Sequence, residues 1–250
     1  MFRVVVPARH DSSRLPGKVL LPIAGRSMLE WVLECARASR ADEVWVATDD
    51  ERIARVARNF GAPVVMTSTT HGSGTDRIAE AAWSQRWGPE DVIVNLQADE
   101  PLMPPALINQ VRELLEQHVG AAIATLATPI ASLEEFLDPN AVKVVVGQEE
   151  RALYFSRAPI PWDRDGAPGG LATQRSFAGA LKHIGMYAYR VRALQRLAAL
   201  APSPLELREK LEQLRALENG LDVRVGIAAE RPGADVNTAG DLERVRALLK

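Results

Sequence analysis

The sequence predicts a three-layer α/β protein, in which helices cover both faces of a mostly parallel central sheet. Short runs rich in β-branched residues alternate with helical apolar patterns over residues 1–128. Such alternation is typical of parallel strands joined by right-handed crossovers. After residue 129 strand-like runs follow one another with little helix between them. We therefore expect one domain with a smaller β-rich insertion.

Five strands and the helices between them are predicted for the first half of the chain. Ser27 and Glu30 have the spacing of a capping box that opens a helix, and Asp49 is the expected cap of the next helix. A third helix is expected over residues 75–87, and Pro104 and Pro105 suit the start of a fourth. The predicted strands are residues 2–8, 44–48, 64–66, 91–96 and 121–126.

The second half is predicted to contain further strands, a loop rich in glycine and proline over residues 162–173, and two helices. One helix begins at Pro204 and continues through residue 219, because Gly220 is a typical C-terminal stop. Thr238 is the expected cap of the last helix. The predicted inner face of that helix consists of Leu242, Val245, Leu248 and Leu249. The predicted strands are residues 142–146, 152–155, 183–189 and 223–228.

Composition and charge exclude several classes of protein. The net charge is −2 with both signs interspersed, so no basic stripe indicates nucleic-acid binding. No apolar run approaches the length of a membrane span, and the N-terminal run ends at Arg9, too early for a signal peptide. The single cysteine, Cys35, lies in an apolar helical pattern and indicates a reducing compartment. We expect a cytoplasmic protein that binds neither nucleic acid nor membrane.

The first candidate site is the segment 7–18, directly after the first strand. Ligands of an open parallel sheet bind beyond the carboxyl ends of its strands. This loop carries Arg9, Arg14 and Lys18 among small residues, so backbone N–H groups and cations can meet a phosphate chain there. Its spacing is neither that of a Walker A loop nor G-x-G-x-x-G. We predict an anion-binding loop, with a solvated surface loop as the alternative.

A metal site is predicted from carboxylates after the fourth strand and before the last helix. Asp99 and Glu100 follow an apolar strand, where unpaired charges are costly unless they bind a cation. Asp235 and Asn237 are two residues apart and point the same way in extended chain. Magnesium prefers such oxygen ligands together with substrate phosphates, and Asp99 is the first candidate. The alternative is that these residues only cap helices.

Further polar clusters favour a bound ligand, although each has a structural alternative. Residues 71–77 form a glycine-containing loop at a helix N-terminus, suited to a base or phosphate. Arg157 follows a strand, and His183 and Tyr187 lie four residues apart on one face of another. A lone histidine such as His183 is more often a hydrogen-bonded core residue than a ligand-binding group.

In these segments the chain resembles the 3-deoxy-manno-octulosonate (Kdo) cytidylyltransferases, over nearly its whole length. The resemblance implies a glycosyltransferase-A-like nucleotidyltransferase fold, a homodimer, and a reaction in which Kdo attacks the α-phosphate of CTP. It implies CMP-Kdo for lipopolysaccharide as the product. The matching segments are PARHDSSRLPGKVL, HGSGTDRIAE, VNLQADEP, AVKVVV, YFSRAPIPW, HIGMYAYR, EKLEQLRALENG and NTAGDLERVRAL.

The resemblance also assigns roles to individual residues, with Arg9, Lys18 and Asp99 as the catalytic group. The residues assigned to CTP are Ala8, Arg9, Ser13, Arg14, Lys18, Ser73 and Thr75. Those assigned to the sugar are Gln97, Arg157, His183, Tyr187, Glu212 and Gln213. The Mg²⁺ ligands are expected among Asp99, Asp235 and Asn237. Residues 1–128 then form a nucleotide-binding half, 129–232 a sugar-binding and dimerising part, and 233–250 a helix that completes the core.

One departure from the family pattern leaves alternatives open. The family has an aspartate where this chain has Asn237, so the predicted metal site loses a charge that Asp235 could replace. Ala98 replaces a common glycine, which is a smaller change. The alternatives are a cytidylyltransferase for 8-amino-Kdo or another sugar acid such as sialic acid, and a nucleotide-binding relative without activity. The pocket residues disfavour sialic acid.

Overall fold

The computed structural model describes residues 1–11 and 15–249, which form one mixed sheet between two layers of helices, with a short hairpin beside it. The strands are β1 (Phe2–Ala8), β2 (Pro22–Ile23), β3 (Arg26–Ser27), β4 (Glu43–Thr48), β5 (Val64–Met66), β6 (Val92–Asn95), β7 (Ile123–Pro129), β8 (Lys143–Val146), β9 (Ala152–Ser156), β10 (Leu181–Arg190) and β11 (Val223–Ile227). The helices are α1 (Met28–Arg37), α2 (Glu51–Asn59), α3 (Gly74–Ser84), α4 (Pro105–Gln117), α5 (Leu133–Leu137), α6 (Val191–Ala198), α7 (Pro204–Glu209), α8 (Gln213–Glu218) and α9 (Ala239–Leu248).

The strand order of the sheet is β11-β7-β10-β6-β1-β4-β5. Strands β6, β1, β4 and β5 are parallel to one another, and β7 pairs parallel with β11. The long strand β10 runs antiparallel between β6 and β7, so that Tyr187 lies opposite both Asn95 and Thr125. Strands β8 and β9 extend from the first residues of β10. The predicted mostly parallel sheet with a β-rich addition is therefore confirmed.

Both faces of the sheet are buried, which explains why its strands are continuous apolar runs rather than alternating ones. In β1, Val4 and Val6 pack on the face covered by α1, α2 and α4, while Val5 packs on the face covered by α3, α6 and α8. All three valines are fully buried, and each contributes about 1.5–3 kcal/mol of hydrophobic free energy. The two helical layers hold the strands so that β1, β4, β5 and β6 end at one edge.

Several predicted helix ends are confirmed by the capping geometry. The Ser27 hydroxyl accepts from the Glu30 backbone at the start of α1, and the Glu30 carboxylate accepts from the Ser27 backbone. Thr238 and Asp241 form the same reciprocal pair at the start of α9. These caps satisfy backbone N–H groups that have no partner inside the helix.

Among the described residues, no helix has the length and apolarity that crossing a membrane requires.

Other predicted boundaries are wrong for identifiable reasons. Asp50 rather than Asp49 caps α2, because the Asp49 carboxylate is paired with Arg77 at 2.7 Å. The helix expected through residue 219 is two helices, since Lys210 adopts a left-handed conformation with φ 55°.

The remaining differences concern helix length and helix faces. Helix α3 ends at Ser84, not residue 87, and Leu248 is 67% exposed instead of facing the core. Helices α5 and α6 were not predicted. Cys35, expected in the core from its apolar helical pattern, is only half-buried, and burial raises the pKa of its thiol.

Candidate active site

A cleft of about 270 Å³ lies at the edge where β1 and β6 end. From β1 the chain proceeds to β4 and β5 on one side, and then crosses to β6 on the other side. The loops after β1 and β6 therefore diverge at this point, which is where open α/β sheets bind ligands. The cleft is lined by Pro7, Arg9, Lys18, Val19, His71, Gly72, Ser73, Gly74, Arg77, Gln97, Ala98, Asp99 and Asn237.

Lys18 joins three distant segments at the centre of this cleft. Its Nζ donates to Asp99 Oδ2 at 2.6 Å and to the Val236 carbonyl at 3.2 Å. The Val236 N–H in turn donates to the Asp99 carbonyl at 2.9 Å. The Lys18 and Asp99 side chains are only 14% and 23% exposed, so water screens their attraction less than at a surface. Two of the three residues predicted to be catalytic are thus in direct contact.

The loop between β1 and Lys18 closes through a glycine turn. The Gly17 N–H donates to the His10 carbonyl at 2.9 Å, and Gly17 has φ 66°, a conformation that favours glycine. Arg9 is exposed and lines the cleft from the start of the same loop. The predicted phosphate-binding residues Ser13 and Arg14 lie outside the described residues. The Arg9 and Lys18 side chains therefore both border one cavity, as an anion-binding loop requires.

The proposed metal ligands meet beside Lys18. Asn237 Nδ2 donates to Asp235 Oδ2 at 2.5 Å, which confirms that the two side chains point the same way. Asp99 and Asn237 line the cleft, whereas Asp235 lines a neighbouring cleft that shares Asn237. In the described part of the chain, no three Asp, Glu, His or Cys side chains together form a metal-binding group. The oxygen donors fit Mg²⁺, which needs only one or two carboxylates when phosphate oxygens complete its coordination.

The start of α3 forms another wall of the cleft. Ser73 caps this helix, because its Oγ accepts from the Asp76 backbone at 3.1 Å. The Ser73 and Thr75 hydroxyls donate to the two carboxylate oxygens of Glu212, at 2.9 and 2.8 Å. Burial raises the pKa of Glu212, and the two hydroxyl hydrogen bonds oppose that rise. Glu212 therefore links α3 to the turn that separates α7 from α8.

Two of the predicted sugar-binding residues lie side by side on β10. The His183 and Tyr187 rings are 5.3 Å apart, and β10 has an irregular register between Ile184 and Tyr187. His183 Nε2 is 3.0 Å from the Thr125 hydroxyl. Burial lowers the pKa of His183 to about 3, so its imidazole is neutral at physiological pH. Burial also raises the pKa of Tyr187, with smaller contributions from Tyr189, Glu212 and Glu100.

The remaining predicted sugar-binding residues are less close together. Gln97 Nε2 donates to the Gly185 carbonyl at 3.4 Å and lines the main cleft. Gln213 is 6% exposed, and its buried Nε2 has no hydrogen-bond partner within residues 1–11 and 15–249. Arg157 lines the neighbouring cleft of about 740 Å³ and donates to the Glu209 carbonyl at 2.6 Å. The structure thus brings Gln97 into contact with β10, which carries Tyr187. Arg157 instead lines the neighbouring cleft, which shares Asn237 with the main cleft.

Two polar residues of the site, Arg77 and Glu100, were not assigned a role from the sequence. Arg77 is 3% exposed, lines the cleft and pairs with Asp49, although only its place in the HGSGTDR segment could have indicated a role. Glu100 has a buried Oε2 without a hydrogen-bond partner. Burial raises the pKa of Glu100 well above its usual range, and the charges of Asp99 and Asp235 raise it further. Its adjacency to Asp99 was the only signal in the sequence.

Comparison with known proteins identifies the family. Residues 3–224 match the family model described as Cytidylyltransferase. The 3-deoxy-manno-octulosonate cytidylyltransferase of Thioalkalivibrio sulfidiphilus is 53% identical over 100% of this chain and 99% of its own length. The same-named protein of Marinobacter nauticus is 50% identical over 100% of this chain and 97% of its own length. These matches are full-length in both directions, so they concern the whole protein.

Solved structures agree with this result and confirm the predicted nucleotidyltransferase fold. A structure of CMP:2-keto-3-deoxy-manno-octonic acid synthetase complexed with CTP is 40% identical, has a TM-score of 0.87, and covers 99% of this chain and 97% of its own. A 4-diphosphocytidyl-2C-methyl-D-erythritol synthase, 16% identical with a TM-score of 0.63 over 100% of this chain and 99% of its own, shares the fold alone. The chain therefore belongs to the 3-deoxy-manno-octulosonate cytidylyltransferases of the cytidylyltransferase family.

Proposed function

We propose that this protein transfers CMP from CTP to the anomeric hydroxyl of Kdo, giving CMP-Kdo and pyrophosphate. The observation that carries the proposal is the Lys18–Asp99 contact of 2.6 Å in the cleft at the end of β1. It combines a phosphate-binding cation with a carboxylate suited to Mg²⁺, in a chain that matches Kdo cytidylyltransferases from end to end. The product would enter lipopolysaccharide biosynthesis in the cytoplasm.

CTP binds in the main cleft in this proposal. Arg9 and Lys18 neutralise its phosphates, with Ser13 and Arg14 in the same loop, while Ser73 and Thr75 lie near the nucleoside. The N-terminus of α3 also borders this cleft, so its positive dipole end favours the phosphates there. As the Kdo hydroxyl attacks the α-phosphate and pyrophosphate leaves, the chain contributes mainly orientation and fixed positive charge.

We assign Mg²⁺ to Asp99 together with Asp235 or Asn237. A bound Mg²⁺ would neutralise negative charge that develops on the α-phosphate. The hydrogen bond from Lys18 orients the Asp99 carboxylate at the cleft. The hydrogen bond from Asn237 orients the Asp235 carboxylate next to the Asn237 side chain. The amide in place of the family's aspartate removes one negative charge, and Asp235 restores it within the same segment.

Kdo is placed against Gln97, His183, Tyr187, Glu212 and Gln213, with Arg157 as the partner of its carboxylate. The buried Gln213 Nε2 without a partner supports this assignment, because an unsatisfied buried donor is costly unless a ligand accepts its hydrogen bond. The neutral imidazole of His183 fits a site that binds hydroxyl groups. Arg157 can pair with a carboxylate from the neighbouring cleft, which shares Asn237 with the main one.

A homodimer is part of the proposal, with residues 129–232 as its contact region. Leu153 on the terminal strand β9 is 59% exposed, and Trp162 in the following loop is 43% exposed. Exposed apolar side chains on and beside an edge strand are typical of a surface that another chain covers. Light scattering on the purified protein tests this: a mass of about one chain at micromolar concentration contradicts the dimer.

The decisive experiment measures pyrophosphate release by the purified protein with CTP, Kdo and MgCl₂. Pyrophosphate release should require all three components. Replacing CTP by UTP, omitting the sugar, or adding EDTA should each abolish it. The same assay with 8-amino-Kdo and sialic acid ranks the alternative acceptors by kcat/KM. CTP binding without release for any sugar would contradict the proposal and favour a nucleotide-binding relative without activity.

A further inference from the structure

One oxygen of the Glu100 carboxyl is a buried acceptor that no described residue satisfies. It follows β6 in a turn closed by its own N–H, which donates to the Gln97 carbonyl at 3.3 Å. Its Oε2 is buried and has no hydrogen-bond partner among the described residues. A buried acceptor without a partner costs free energy that a folded protein rarely tolerates away from a functional site.

The neighbouring acids do not share this property. Asp99 is paired with Lys18 at 2.6 Å, and Asp235 accepts from Asn237 at 2.5 Å. Glu212 receives two hydroxyl hydrogen bonds, from Ser73 and Thr75. Each of these three carboxylates therefore has a partner within the protein, whereas Glu100 keeps one oxygen available.

Glu100 directly follows the proposed metal ligand Asp99 and lies three residues after Gln97, whose Nε2 donates to the Gly185 carbonyl of β10 at 3.4 Å. The charges of Asp99 and Asp235 act on the Glu100 carboxyl, and the charge of Glu100 acts on Tyr187 of β10. Among the described residues, Gln213 carries a buried donor without a hydrogen-bond partner. An unsatisfied acceptor and an unsatisfied donor at predicted sugar-binding segments match a polyhydroxylated ligand, since each hydroxyl group both donates and accepts.

We propose that Glu100 Oε2 accepts a hydrogen bond from a hydroxyl group of the sugar acid and so positions the acceptor beside the metal ligands. This inference rests on the proposed function and adds a sugar-binding residue to it. The Gln97 backbone hydrogen-bonds to the Glu100 carboxyl, which orients it, and leaves Oε2 for the ligand. Glutamine at this position would keep the size of the side chain but present an NH₂ group in place of the acceptor.

The test compares wild type with Glu100→Gln in the pyrophosphate-release assay, varying Kdo, CTP and MgCl₂ separately. Loss of this hydrogen-bond acceptor should raise the KM for Kdo about 10- to 100-fold with a smaller change in kcat. The KM for CTP and the MgCl₂ requirement should stay within about twofold. Glu113→Gln, which breaks a surface pair with Arg40, is the matched control and should change none of them.

The melting temperature without ligand separates a binding role from a structural one. Since the unsatisfied carboxylate destabilises the free protein, Glu100→Gln should raise it by about 2–4 °C. A lower melting temperature, an unchanged KM for Kdo, or a changed MgCl₂ requirement would overturn the inference. If wild type itself releases no pyrophosphate from CTP and Kdo, the proposed function fails, and the inference fails with it. If wild type is active and Glu100→Gln has the same KM for Kdo, only the inference is refuted.

Discussion

The buried neutral His183 should make the protein sensitive to acid. Its pKa is lowered from 6.5 to about 3 by burial, so at pH 5 the folded state leaves it neutral while the unfolded state protonates it. The unfolded state then binds more protons, and the free energy of unfolding falls as pH decreases from 6.5 toward 3. At pH 5 the loss attributable to this one group is about 2 kcal/mol relative to pH 7.5.

Urea unfolding of wild type and His183→Gln at pH 7.5 and pH 5 measures this contribution. The variant loses ring contacts with Phe155 and Tyr187 and should be less stable at both pH values. Its decrease on acidification should nevertheless be smaller than that of wild type by about 2 kcal/mol. His118→Gln removes a less buried imidazole, 23% exposed, and serves as the control. Equal pH dependence in wild type and His183→Gln would refute the reasoning.

Three further substitutions test the site. Asp99→Ala should lower kcat/KM at least about 100-fold with an unchanged circular dichroism spectrum, whereas the exposed control Asp165→Ala should have no effect; near-normal turnover at low MgCl₂ would remove Asp99 from the metal site. Asp235→Ala should raise the MgCl₂ concentration for half-maximal rate about 10-fold or more, and full activity would assign that role elsewhere. Ser73→Ala removes the α3 cap to Asp76 and should cost about 1 kcal/mol in urea unfolding, so an unchanged midpoint would contradict the importance of this cap.

Local sequence patterns predicted most elements of the parallel half. Residues 2–8 form β1 as predicted, because β-branched residues buried on both faces have few alternatives. The capping signal of Ser27 and Glu30 was equally dependable, since both partners lie within one turn. By contrast, the cap of α2 depended on a distant residue: Arg77 pairs with Asp49 and leaves Asp50 to accept from the backbone. Propensity alone could not separate these adjacent aspartates.

The break at Lys210 has a similar origin. Residues 204–219 have a continuous helical pattern, yet Lys210 adopts φ 55° and Glu212 turns toward Ser73 and Thr75. At this interruption the chain loses helical hydrogen bonds, and Glu212 instead accepts hydrogen bonds from the start of α3. The apolar periodicity of the sequence does not indicate this contact. The position of the Glu212 carboxylate is therefore decided by tertiary contacts and not by the local sequence pattern.

The sequence by itself determined the family, the alternation of strands and helices in the parallel half, and the segments from which the site is built. Those properties depend on residues close together in the chain, where spacing and side-chain chemistry act directly. Only the tertiary structure decided which groups touch: Lys18 reaches Asp99 across 81 positions and Val236 across 218. It alone revealed that Glu100 Oε2 has no hydrogen-bond partner among the described residues, because a missing hydrogen bond is a property of the whole surrounding packing.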